Sequence, residues 1–189
     1  TRAALEACVA DLEGAAHGLA FASGMAAEDA TLRATLQPGD HVIIPADAYG
    51  GTYRLVAHLY EPTGVTWTAV DLADLDALAG AWRDETKLVW VETPTNPLLG
   101  IADIEAIATI AHAAGAVLVV DNTFATAYLQ SPLALGADVV THSTTKYAGG
   151  HSDVVGGAVV TAADIRVAGL EDAEERIAFH QNSIGGIAG

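Results

Sequence analysis

The run AVLVVD, residues 116–121, sets the tightest limit on what this chain can fold into. Its five leading residues are all apolar and an acid closes it. A strand with one wet face alternates apolar and polar side chains, so a continuous apolar run must be covered on both faces. KLVWVE (87–92) and ADVVTHS (137–143) repeat the pattern, and PGDHVIIP (38–45) reads as a turn leading into another buried strand. Helical periodicity fills the gaps. MAAEDATLRATL follows the short apolar segment HGLAFA (17–22), TYRLVAHLY precedes the strand-like GVTWTAV, and LADLDALAGAW precedes KLVWVE. IADIEAIATIAHAAG (101–115) is an amphipathic helix closed by Gly115. VVGGAVV is a further apolar segment, and a last helix is expected from Ala162 to about Phe179. Buried strands alternating with helices predict an α/β fold: a mostly parallel sheet flanked by helices on both sides. With no repeat, low-complexity tract or linker, 189 residues suggest one compact domain or a large piece of one.

Charge narrows the partners. Eight Lys and Arg against 24 Asp and Glu give a net charge of -16. That argues against nucleic acid, whose phosphates demand clustered cations, and against anionic membrane surfaces. No apolar run reaches spanning length, so no membrane segment is expected. The single Cys8 rules out an internal disulfide and fits a reducing cytoplasm. His112 and His180 sit in helical segments and read as ordinary packed or solvated side chains.

In parallel sheets, ligands bind beyond the carboxyl ends of the strands. Three such ends carry chemistry here. SGMAA (23–27) joins a strand to a helix, with Gly24 permitting the tight turn and the first helical amides left free for an anion such as phosphate. The plainer reading is a turn in which Ser23 caps the helix. Asp121, at the rim of a dry sheet, needs a counterpart: a protonated ring nitrogen, a cluster of backbone N–H groups or a metal. Alternatively it caps a local turn with Asn122 and Thr123. In THSTTKYAGGHSDVVGG (141–157), Lys146 stands between a buried strand and a Gly-Gly turn. Crowding there is expected to desolvate its amine and make it a nucleophile toward carbonyls. Ser143 and Thr145, two apart, point the same way in extended geometry and can donate to one phosphate. An anion cradle, an acid for a ring nitrogen and an imine-forming lysine together are what pyridoxal phosphate requires. Tyr49, in DAYGGTY, offers a flat face for the ring, and Asn96, in ETPTNP, a donor for its phenolic oxygen. Their plainer readings are a core aromatic at a helix start and a turn residue before Pro97.

These blocks, with FASGMAA, LVWVETPTNPLL and VVDNTFATAYLQSPLALGADVV, resemble the Cys/Met-metabolism family of pyridoxal-phosphate enzymes over nearly the whole chain. The resemblance implies the large domain of an aspartate aminotransferase-like, fold type I enzyme. It implies that Lys146 binds the cofactor covalently and moves protons between the alpha and gamma carbons, and that Asp121 pairs with the pyridinium. Gly24, Met25, Ser143 and Thr145 would then hold the phosphate, Tyr49 stack on the ring and serve as acid or base, and Asn96 bind the ring oxygen. Family members run to about twice this length. An N-terminal arm and a C-terminal domain, each supplying cations to the site, are expected outside residues 1–189, and the family implies a homotetramer. Two departures, Ala127 for a usual Pro and Glu28 for a usual apolar residue, are expected to lie outside the chemistry.

The family's reactions differ in detail. Gly51 and Ser152 stand where methionine gamma-lyases resemble one another in having Cys and Gly, which favours the transsulfuration pair. One member, cystathionine gamma-synthase, joins cysteine to an O-acylhomoserine; the other, cystathionine gamma-lyase, cleaves cystathionine. The look of YGGTYRLV and KYAGGHSDVVGG favours the synthase. Methionine gamma-lyase and O-acylhomoserine sulfhydrylase are the alternatives within the family. Outside it stand a sugar aminotransferase and a non-catalytic cofactor-domain fragment.

Overall fold

The computed structural model describes residues 1–165 and 167–187. Seven strands form one sheet: β1 (His17–Phe21), β2 (His41–Pro45), β3 (Thr66–Val70), β4 (Thr86–Glu92), β5 (Val117–Asp121), β6 (Val139–His142) and β7 (Gly157–Thr161), in the order β1-β7-β6-β5-β4-β2-β3. β2 through β6 pair in parallel, and β7 runs antiparallel between β1 and β6. The mostly parallel sheet is therefore as expected, with one inverted strand.

Two apolar clusters cover the two faces. On one side, α2 (Gly24–Thr35) and α7 (Ala173–Ile184) pack over Trp90, Val119 and Val159, together with a helical stretch that begins as α3 (Gly50–Arg54) and widens to π geometry over Leu55–Tyr60. On the other, α1 (Arg2–Glu13), α4 (Leu75–Ala81) and α5 (Ile104–Ala113) pack over Val89, Leu118 and Val140. Alternate residues of one strand thus feed opposite cores, which is why β5 carries no polar residue before Asp121. Each fully buried Val or Leu contributes about 1.5–3 kcal/mol.

Side-chain caps fix where helices begin. Asp103 accepts from Ala106 N at 3.0 Å, so α5 starts at Ile104 rather than at Ile101. Asp74 accepts from the amides of Asp76 and Ala77, which starts α4 at Leu75. The last helix is shorter at its start than the sequence suggests: α7 begins at Ala173, after turns that include Gly169 at φ +83°. Arg166, within that expected helix, lies outside the described residues. His112 is structural, its Nε2 lying 2.9 Å from Asp138 Oδ2. Among the described residues, no helix is long and apolar enough to cross a membrane.

Candidate active site

Parallel pairing in register builds one wall of the site. Glu92, the last residue of β4, lies opposite Asp121, the last of β5, and Asp121 lies opposite Thr141 of β6. Paired residues of parallel strands project to the same face, so two carboxyl groups meet at one rim. The loops leaving β1, β2, β4, β5 and β6 surround them and enclose a cavity of about 300 Å³. Lys146, Asp121, Gly24, Met25, Ser143, Thr145, Tyr49 and Asn96 all line it.

The anion end forms where α2 begins. Ser23 caps the helix, its Oγ accepting from Ala26 N at 3.1 Å, so the plainer reading of that turn holds. The preceding amides of Gly24 and Met25 have no partner among the described residues, so the free N–H pair is present as well. A Cβ on Gly24 would sit 2.8 Å from Ser143 Cβ, so this approach to the cavity requires glycine.

Ser143 and Thr145 converge by a different route from the one expected. β6 ends at His142, and a turn follows, with Lys146 N bonded to Ser143 O at 3.2 Å and Gly149 N to Thr144 O at 2.7 Å. The turn, not a strand's pleat, brings both side chains to the cavity. The Thr145 hydroxyl donates to Gly156 O at 3.1 Å and accepts from Gly156 N at 3.0 Å. Thr145 has thus spent its hydroxyl proton, whereas the Ser143 hydroxyl has no hydrogen-bond partner among the described residues.

Lys146 differs from expectation too. It lines the cavity but is exposed rather than crowded. Tyr49 is 38% exposed beside the cavity and is not a core aromatic. Its backbone N–H donates to Glu92 Oε2 at 2.7 Å, which fixes the loop after β2 to the end of β4. Asn96 is half-buried.

Asp121 combines both of its readings. Oδ1 accepts from Thr123 N at 2.8 Å in a local turn, while the carboxyl lines the cavity. Withdrawal from water pushes its pKa up, and hydrogen bonds from Thr123 and the nearby His142 pull the other way. Behind it, Glu13 of α1 accepts from Asn122 Nδ2 at 2.8 Å and lies 2.5 Å from His142 Nε2. This buried cluster ties α1 to the two strand ends that frame Asp121.

Glu28 and Glu92 also line the cavity. Burial, then the charge of Asp121, pushes Glu92 up to about 7. Glu92 was findable by the rule that found Asp121, since it ends a buried strand. The expectation that Glu28 lies outside the site is wrong: it is one helical turn beyond Gly24 and so shares its face. Among the described residues, no group of three or more His, Cys, Asp and Glu side chains is arranged to hold a metal ion.

Known proteins resemble this chain in sequence and fold. Cystathionine gamma-synthase of Mycobacterium tuberculosis is 58% identical over 189 residues, which are all of this chain and 47% of that protein. Cystathionine beta-lyase of Lactococcus lactis subsp. cremoris is 50% identical over the whole chain and 48% of its own length. The crystal structure of metB from Corynebacterium glutamicum superposes with a TM-score of 0.92 at 55% identity, covering 98% of this chain and 46% of that one. The chain thus spans about half the length of the curated relatives it matches. The model of the Cys/Met metabolism PLP-dependent enzymes matches residues 1–189, and the chain belongs to that pyridoxal phosphate-dependent family.

Proposed function

We propose that residues 1–189 are the cofactor-binding large domain of a cystathionine gamma-synthase-type transsulfuration enzyme, which replaces the acyloxy group of an O-acylhomoserine with the thiol of cysteine. The observation that carries the reading is the convergence of Lys146, Asp121, Gly24 and Ser143 on one cavity. The residues fit pyridoxal phosphate: two partnerless amides and a hydroxyl at one end, an acid at the other, and an exposed primary amine. The bound cofactor acts as an electron sink for the amino acid's alpha carbon.

The chain's own groups have separable tasks. The Gly24 and Met25 amides and the Ser143 hydroxyl bind the phosphate dianion, while Thr145 braces the turn through Gly156 and orients Ser143. Asp121 holds the ring nitrogen's proton, and the Glu13–His142 cluster steadies it. Tyr49 and Asn96 line the same cavity, where Tyr49 would offer its face to the bound ring and a hydroxyl for acid or base work, and Asn96 would supply a donor for the ring oxygen. Lys146 anchors the cofactor and moves the substrate's protons.

Gly51 supports transsulfuration over a methionine gamma-lyase activity. A Cβ there would fall 2.4 Å from Tyr49 Cε1 and 2.5 Å from Met25 Sδ, so a cysteine at this position would displace both. The gamma-synthase relative is the more similar of the two curated proteins compared, at 58% against 50% for the beta-lyase. The reading extends to amino-acid substrates, a cytoplasmic location and a homotetramer.

The test is product analysis on the purified protein with pyridoxal phosphate. An O-acylhomoserine plus cysteine is expected to yield cystathionine, and Lys146→Ala is expected to abolish both the yield and the visible absorbance of the lysine-bound cofactor. Pyruvate from cystathionine would assign a beta-lyase instead, and 2-oxobutanoate a gamma-lyase.

A further inference from the structure

Glu28 is turned inward from α2 and is only 4% exposed, and its Oε2 is buried with no hydrogen-bond partner among the described residues. It lines the cavity that also receives Asp121, Glu92, Tyr49 and Lys146. An inward carboxyl without a partner is costly, so its form must suit its surroundings. The neighbouring acids decide that form. Glu92 takes the Tyr49 N–H on Oε2 and the Thr52 hydroxyl on Oε1 at 2.8 Å, a donor set that suits a carboxylate. Asp121 takes the Thr123 N–H and is acted on by His142 from β6. Glu28 has less such support. Burial, then the charges of Asp121 and Glu92, raises its pKa well above the ordinary carboxyl value, and the Thr52 proton that would oppose this is given to Glu92. Three ionised carboxyl groups in one recess repel each other, and the least supported one keeps its proton.

A protonated carboxyl carries one O–H donor, and the partnerless Oε2 is the atom to bear it. We propose that Glu28 is a proton-carrying positioning residue, its carboxylic O–H held inside the cavity it shares with Asp121, and that it keeps Asp121 the ionised member of the pair. The proton's location stands on the cavity's own groups. Its value to the protein rests on the reading above, in which Asp121 faces the cofactor's ring nitrogen.

Infrared spectra of the purified protein without cofactor, at neutral pH, report protonated carboxyl groups through their C=O stretch. Glu28→Gln and Glu28→Met are each expected to remove one such band, while Asp121→Asn removes none. A wild-type spectrum from which neither Glu28 variant subtracts an acid band overturns the proposal. The positioning role is read from pyridoxal phosphate affinity against pH. Glu28→Gln keeps an uncharged donor and should hold Kd within about twofold. Glu28→Met has no donor, so the acid limb of the profile should move about one unit upward, a tenfold weakening on that limb. Superimposable Gln and Met profiles overturn the positioning role. If wild type binds no cofactor at all, the proposed function fails, and the infrared difference still decides where the proton sits.

Discussion

Replacing Gly24 by alanine tests the anion end of the site most directly. The added methyl would lie 2.8 Å from Ser143 Cβ, 3.0 Å from Ser143 Cα and 3.1 Å from Ser143 Oγ. Carbon atoms rest at about 3.5–4.0 Å, so α2 and the turn after β6 must separate by roughly 0.7–1.2 Å. Overpacking of this kind costs about 1–3 kcal/mol, while alanine returns up to about 1 kcal/mol of helix propensity. The net change in stability is therefore small, a few degrees in Tm. The change in affinity is not. Displacing one charge-assisted hydrogen bond to phosphate loses about 1.5–3 kcal/mol, which is about ten- to a hundredfold in Kd. Absorbance titration of the purified protein with pyridoxal phosphate, beside a thermal melt, separates the two effects. The double variant Gly24→Ala/Ser143→Gly removes the closest contact but also the hydroxyl, so it should recover Tm and not affinity. A Gly24→Ala protein that binds within twofold of wild type would refute the idea that this turn holds the phosphate.

Other expectations follow from the same geometry. Glu92 is pushed up to about 7 in the fold from an ordinary value of 4.5, so between those values the native state holds more protons than the unfolded state. Stability should therefore fall as pH rises from about 4.5 to about 7, a slope that a denaturant titration at several pH values reads and that Glu92→Gln should flatten. At acidic pH the same variant replaces a neutral acid with a neutral amide, whose N–H the Thr52 hydroxyl can accept, so stability there should change little; an unchanged slope with normal folding would count against the assignment. At Gly157, a Cβ would sit 2.2 Å from Ser23 O and 2.8 Å from Gly24 N, both backbone atoms that cannot swing aside. Gly157→Ala should cost about 3 kcal/mol and weaken cofactor binding with it, measured by melting and titration together. In the far core, Ile107→Ala empties a fully buried site on α5 and should cost about 2–5 kcal/mol while leaving Kd for pyridoxal phosphate unchanged.

Much of the site was legible because parallel sheets concentrate chemistry at strand ends. Asp121, Tyr49, Asn96 and Lys146 each follow a buried apolar run, and that position alone marks them for inspection. The same rule marks Glu92, which the sequence reading placed at the end of the strand KLVWVE without giving it a role. Other parts were not legible. The exposure of Lys146 depends on which elements reach over the turn after β6. The engagement of Thr145 by Gly156 depends on how the chain returns into β7. Glu13 and His142 are 129 residues apart in sequence, and nothing local announces their contact.

The amino-acid order by itself determined the architecture: runs apolar on both faces can only be interior strands, and their alternation with amphipathic helices leaves a parallel sheet as the way to bury them. It also determined where reactive groups emerge, because a polar residue closing such a run must surface at the sheet's edge. Only the tertiary structure decided how those groups answer one another. Glu28 looked like an incidental polar residue on a helix until packing set it beside Asp121 and Glu92, because the field at a buried carboxyl is made by whatever the fold brings near it.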